Sequence, residues 1–225
     1  MTLLVIGDSG IARAITVAMR AGDRSVATVT DTAVFEKRDT AAAALAAAID
    51  GAAITTVVFA HLDPSGFRTA AITELTEPAW DTACERSLRH AFVALQQVHA
   101  LVADGTPIVL VLPNVGAVGV AGLVPLCSAV EGIRVMAKAM ARRWGARGIT
   151  VNTIEVELAA FILGDLGAEG AGTAVPEVPV LGSPALAPGS AVADVVGLID
   201  LLASPEGRAV TGAFLMADRG TVMLP

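Results

Sequence analysis

Apolar runs and helical spacings alternate along the chain from its start. "TLLVIG" is a continuous apolar stretch that stops at glycine, the pattern of a strand covered on both faces. "IARAITVAMRAG" follows with apolar residues at helical spacing and Gly22 as its stop. "SVATVTD" predicts a second strand ending at Asp31, "AVFEKRD" a short third one, and "TAAAALAAAID" a helix on alanine propensity. "AITTVVFAH", "PIVLVL", "GITVNTIEV" and "AFLMAD" predict the remaining strands. Helices are expected from about Glu77 to Ala103, with Pro78 in the first turn, from Cys127 to Trp144, and over "AVADVVGLIDLLAS".

Strands that alternate with helices need crossover connections, and those make a parallel sheet. The expected fold is α/β: one Rossmann-like, doubly wound domain over residues 1–225, with about seven strands and helices on both faces. Its ligand crevice should lie beyond the carboxyl ends of the strands. The stretch 164–190 is rich in Gly, Pro and Ala and has little periodicity, which predicts a flexible, lid-like insertion.

Composition narrows the function classes. Apolar residues make up 54% of the chain and charged ones 16%, which excludes a disordered chain and suggests surface hidden between subunits. The net charge is −7 and no basic block is present, so nucleic acid is not an expected partner. The nearly uncharged run from Pro107 to Leu126 is broken by prolines and glycines. It reads as a buried strand and a Gly-rich loop, so no membrane partner is expected. "MTLLVIGDSG" reads as a strand and not as a signal peptide. Two cysteines, Cys84 and Cys127, make no disulfide framework and no zinc pattern, so no metal is expected and a cytoplasmic location fits.

The strand–Gly–helix opening, "RRWGARGITVN" and "LLASPEGRAVTGAFLMADRG" together resemble the short-chain dehydrogenase/reductase family. The tail carries the most specific likeness: Leu202-Ala203-Ser204, Val210-Thr211-Gly212 and Asp218-Arg219-Gly220. The likeness runs along nearly the whole chain.

The family's cofactor loop becomes "IGDSGIA", with one residue fewer between its first glycines and Ala12 at the last. Gly7, Ser9, Gly10 and Ile11 are the candidates for holding a pyrophosphate at a helix start, and a tight strand-to-helix turn explains the same glycines. Asp8 adds a carboxylate there. Asp31 is either the acid that holds a ribose 2′-OH and favours NAD, or a solvated strand end.

The resemblance places the family's catalytic positions at Ser87 for the asparagine, Pro113 for the serine, Leu126 for the tyrosine and Val130 for the lysine. The chain has no tyrosine at all. In the family the tyrosine donates the proton, the lysine lowers its pKa and the serine orients the carbonyl. Losing one such group removes roughly 10²–10⁴-fold of rate. Two rescue candidates border the site. His61 reads as an acid or base or as a structural histidine. Asn114 takes the serine's place if the register slips by one. Cys127 reads as a nucleophile only with a basic neighbour, and otherwise as a small buried residue. Glu155 and Glu157, near the loop that should meet the cofactor, predict repulsion of a pyrophosphate.

The expected function is therefore a family relative without redox catalysis, a non-catalytic subunit or ligand-binding protein with no cofactor, or weak NAD(H) at most. One alternative is an active NAD(P)-dependent oxidoreductase with a rearranged site. Another is a non-redox isomerase or lyase that reuses the cleft. The resemblance also implies an oligomer through the two long helices, either a homo-oligomer (dimer or tetramer) or a heteromer with an active family subunit.

Overall fold

The computed structural model describes residues 2–165, 175–177 and 182–223. Its sheet contains β1 (Thr2–Ile6), β2 (Ser25–Val29), β3 (Ile54–Phe59), β4 (Ile108–Pro113), β5 (Val151–Val156) and β6 (Phe214–Met216). The order is β2-β1-β3-β4-β5-β6 and every pairing is parallel. Every residue of β4 and β5 is buried, as their unbroken apolar runs require when helices cover both faces.

The helices are α1 (Gly10–Ala21), α2 (Arg38–Ile49), α3 (Glu77–Trp80), α4 (Arg86–Leu101), α5 (Val115–Val118), α6 (Val124–Trp144), α7 (Leu158–Leu163) and α8 (Ala191–Ala203). A π-helical turn, Asp81–Glu85, joins α3 to α4, so the long helix expected from Glu77 is one element with a local bulge. Helix α6 begins at Val124, ahead of the expected Cys127, because Pro125 fits its first turn.

Among the described residues six strands form, close to the expected count of about seven. "AVFEKRD" is not a strand. The Asp31 carboxylate accepts the Ala33 N–H at 3.1 Å and starts a 3₁₀ turn, Thr32–Glu36, whose Phe35 is fully buried. Helix α2 follows directly at Arg38. A local cap and one anchoring ring outweigh the weak strand signal.

The chain leaves β1 toward β2, then returns past β1 to β3 and continues outward to β6. The switch point thus lies between β1 and β3, whose last residues Ile6 and Phe59 are register partners.

Candidate functional site

At the switch point the turn after β1 is bonded to both neighbouring strands. The Gly7 N–H donates to the Val29 carbonyl at 3.0 Å, and the Ser9 hydroxyl donates to the Ala60 carbonyl at 2.7 Å. Ser9 also caps α1 by accepting from the Ala12 N–H at 3.3 Å. Gly10 and Ile11 open the helix, and their N–H groups are the donors that a helix start leaves without an intrahelical partner. Gly10 and Ile11 are both buried, Ile11 fully, backbone included.

The two glycines are required by the chain's own backbone. Gly7 has φ +139°, and a Cβ on it would lie 2.2 Å from the Ala60 carbonyl oxygen. A Cβ on Gly10 would lie 2.2 Å from the Ile162 carbonyl oxygen. Helix α7 therefore lies directly over the start of α1. Asp31 is exposed at the end of β2 and caps the 3₁₀ turn.

His61 and Asp8 meet, as their places after β3 and β1 dictate. His61 Nδ1 lies 2.9 Å from Asp8 Oδ1, within hydrogen-bond distance. On the other side, His61 Nε2 lies 3.0 Å from His90 Nδ1, and the ring planes are within 23° of each other. His90 Nε2 is 3.3 Å from Glu36 Oε1. Both histidines are buried, His61 at 1% and His90 at 3% exposure. Arg86 pairs with Glu36 at 3.2 Å and with Asp63 at 3.3 Å.

Burial pushes the Asp8 carboxyl up, but the hydrogen bond and charge of His61, its own backbone and Arg13 outweigh it, so its pKa sits below the usual range. Burial, then the neighbouring His61, holds the His90 imidazole below its ordinary value, against the pull of Glu36 and Asp63. His90 and Glu36 carried no signal in the sequence. Their partners are remote along the chain, and nothing in "RSLRHAF" marks one histidine as paired with another.

Ser87, at the family's asparagine position, is fully buried and accepts the Asp63 N–H at 2.9 Å. It braces the turn after β3. Pro113 ends β4 and is buried, and Leu126 and Val130 are both 0% exposed. Val130 Cγ1 lies 2.8 Å from where a Gly116 Cβ would be, so this side chain packs tightly under α5. Asn114 is committed to Asp218, whose carboxylate accepts its Nδ2–H at 3.0 Å along with the Gly220 and Val222 N–H groups. The Cys127 thiol donates to the Val115 carbonyl at 3.3 Å, and burial raises its pKa.

The two glutamates that predicted joint repulsion separate. Glu157 Oε1 accepts the Thr221 hydroxyl at 2.6 Å. Glu155 is 0% exposed, and neither of its carboxylate oxygens has a hydrogen-bond partner among the described residues. Burial raises its pKa to about 7, with Arg134 opposing and Glu131 and Asp218 adding to the rise. A buried carboxyl that titrates near neutrality is the feature the sequence reading missed, since spacing shows neither burial nor absent partners.

Residues 166–174 and 178–181 of the expected lid lie outside the described residues. The two sides of that stretch come together at Asp165. Its carboxylate accepts from the Ser190 hydroxyl and, at 3.2 Å, from the Val192 N–H at the start of α8.

The family model described as enoyl-(acyl carrier protein) reductase matches residues 3–222. The chain belongs to the short-chain dehydrogenase/reductase family. Among solved structures it is similar to a short-chain dehydrogenase/reductase from Serratia marcescens, with TM-score 0.72, 20% identity, and 98% and 96% of the two chains covered. It is also similar to a short chain dehydrogenase from Burkholderia cenocepacia in complex with NADP, with TM-score 0.74, 20% identity, and 97% and 96% covered. A blue fluorescent protein from a metagenomic library in complex with NADPH aligns with TM-score 0.69, 22% identity, and 99% and 98% covered. Among curated proteins, none matches the sequence. These neighbours correct the expectation of no cofactor, or weak NAD(H) at most. Two chains of this fold were solved as NADP and NADPH complexes. No helix among the described residues is long and apolar enough to cross a membrane.

Proposed function

We propose that this chain is a nicotinamide-dinucleotide-dependent oxidoreductase with a rearranged site, whose acceptor takes its proton from water and not from a tyrosine. The observation that carries this reading is the frame at the switch point: a Ser9-capped helix start beside an acid at the end of β2. The donors at this end suit a pyrophosphate, but Gly10 and Ile11 are buried in this structure and must be uncovered to meet one. The N–H groups of Ser9, Gly10 and Ile11 would hold the pyrophosphate through the helix dipole, and Asp31 would accept the ribose hydroxyls and disfavour a 2′-phosphate. Helix α7, whose Ile162 carbonyl lies against the Gly10 Cα, would have to move for that. The connection 164–190 that follows α7 is our candidate for a lid.

When bound, the nicotinamide ring supplies a hydride. Pro113, Leu126 and Val130 are buried apolar residues that offer no proton. His61, Asn114 and Ser87 are bonded to Asp8, Asp218 and the Asp63 backbone, so we assign them to holding the crevice's shape. The suitable acceptors are those that need no enzymic proton at the moment of hydride transfer.

A second reading, a non-catalytic family subunit, is favoured by one observation: Leu126 and Val130 are core residues with 0% exposure. The isomerase or lyase reading has no such support, because Glu155 is enclosed and His61 is held between Asp8 and His90. The outward faces of α4 and α6 carry the exposed Phe92 and Val135, which supports self-association.

The test is a calorimetric titration with NADH and NADPH, followed by transfer of deuteride from C4-labelled cofactor to a panel of ketones, quinones and iminium ions. Dinucleotide binding with label appearing in a product supports the oxidoreductase. Binding without transfer to any acceptor favours the non-catalytic subunit, and absence of binding sinks the main reading.

A further inference from the structure

We infer that anion binding at the loop after β1 is coupled to the uptake of one proton by the Asp8–His61–His90–Glu36 array. The inference rests on the dinucleotide reading and adds its regulation.

The argument is a proton count. The array has three contacts: Asp8 to His61 at 2.9 Å, His61 to His90 at 3.0 Å, and His90 to Glu36 at 3.3 Å. The first two are hydrogen bonds and need one N–H each, and the third, an ion-pair contact, takes one more when it is complete. Two neutral imidazoles supply one N–H apiece. One contact must therefore lack its proton whenever both rings are neutral. If the His61 Nδ1–H faces Asp8, the His90 Nδ1–H must face His61. His90 Nε2 then points a lone pair at the Glu36 carboxylate, and that nitrogen is a buried atom with no hydrogen-bond partner among the described residues. The opposite arrangement moves the missing proton to the Asp8 end. A third proton completes all three contacts and places one positive charge between two carboxylates.

The surroundings set the direction. Asp8 on the loop, Glu36 on the 3₁₀ turn and Asp63 after β3 face the pair with negative charge, and Arg86 on α4 and Arg13 on α1 oppose them. Burial of the His90 ring works against the third proton. A pyrophosphate arriving at the helix start adds negative charge next to Asp8. That charge favours the protonated array, and by linkage the protonated array favours the anion. Glu36, with 43% of its side chain exposed, gives the proton a route from solvent that does not cross the ligand.

The test is the pH dependence of binding in the full chain. NADH and, separately, inorganic pyrophosphate are titrated calorimetrically from about pH 5.5 to about pH 8.5, in two buffers of different ionisation enthalpy. Where the pair titrates, the expected result is tightening toward about tenfold per pH unit as pH falls, with about one proton taken up per ligand. His90→Phe should flatten the slope. If that variant does not fold, imidazole ¹⁵N spectra of the unsubstituted protein supply the same count: ligand addition at neutral pH should turn one unprotonated ring nitrogen into a protonated one. Binding that is independent of pH and buffer, with unchanged ¹⁵N spectra, overturns the inference and leaves the dinucleotide reading intact. No binding at any pH overturns both.

Discussion

Arg134 Nε stands 3.9 Å from Glu155 Oε1, and yet the Glu155 carboxyl keeps its proton until about pH 7. The guanidinium is shared: it is hydrogen-bonded to Glu131 and lies 4.8 Å over the Phe214 ring. A divided cation does not offset the burial of a carboxylate with no donor of its own.

That burial makes stability depend on pH. In the unfolded chain Glu155 ionises near the ordinary glutamate value of 4.5, and in the folded chain at about 7. Between those values the native state binds more protons than the unfolded one, so stability falls as pH rises and levels off above the folded pKa. The loss amounts to about 3 kcal/mol at most. Glu155→Gln should remove this slope and gain about 1–2 kcal/mol at pH 8, less than the full amount because its amide also lacks partners. Urea midpoints of both proteins across pH check it. A variant no more stable than the parent above neutrality refutes the assignment.

Restoring the family's residues should not restore its chemistry. Leu126 and Val130 are fully buried, and Val130 is already pressed against Gly116. Leu126→Tyr combined with Val130→Lys overpacks the core and buries an unpaired ammonium. We expect a loss of about 3–5 kcal/mol and no gain in turnover. Thermal unfolding and carbonyl reduction assays read the two effects separately.

Asp31 should govern the choice of dinucleotide. Asp31→Ala removes the carboxylate that opposes a 2′-phosphate, so affinity for NADPH should rise relative to NADH by about tenfold, or about 1.4 kcal/mol. It also removes the cap on the 3₁₀ turn, at a cost of about 1 kcal/mol. Paired titrations with the two cofactors test it, and an unchanged ratio takes Asp31 out of the site.

Gly10→Ala separates the loop's two uses. Its new methyl would meet the backbone carbonyl of Ile162, which has no rotamer to yield. The variant should lose about 2–4 kcal/mol if α7 holds its place, measured by chemical denaturation. A near-neutral result would mean that α7 readily leaves α1.

The alternation of apolar runs was enough to read the doubly wound sheet, because parallel strands buried on both faces leave an unmistakable pattern, as in β4 and β5. The third strand was misread because Asp31 caps a turn, and capping competes with a short β-like run on nearly equal terms. The apolar residues at the family's tyrosine and lysine places were readable by counting along α6, and they prove fully buried. The union of His61 with His90 was not readable, since only the packing of α4 against the end of β3 brings them together. The missing cofactor was a misjudgement of another kind. Helix-start N–H groups are supplied by any residue type, so a degraded glycine motif says little about whether they remain.

Asp165 has a consequence for how such a chain can diversify. It ties the residue before the 166–189 connection to the start of α8, so the two ends of that connection are held together. The entropy of closing a loop grows only with the logarithm of its length, so insertions and deletions there leave the sheet almost untouched. On the oxidoreductase reading proposed above, changes of length inside that connection would leave the frame at the switch point unchanged.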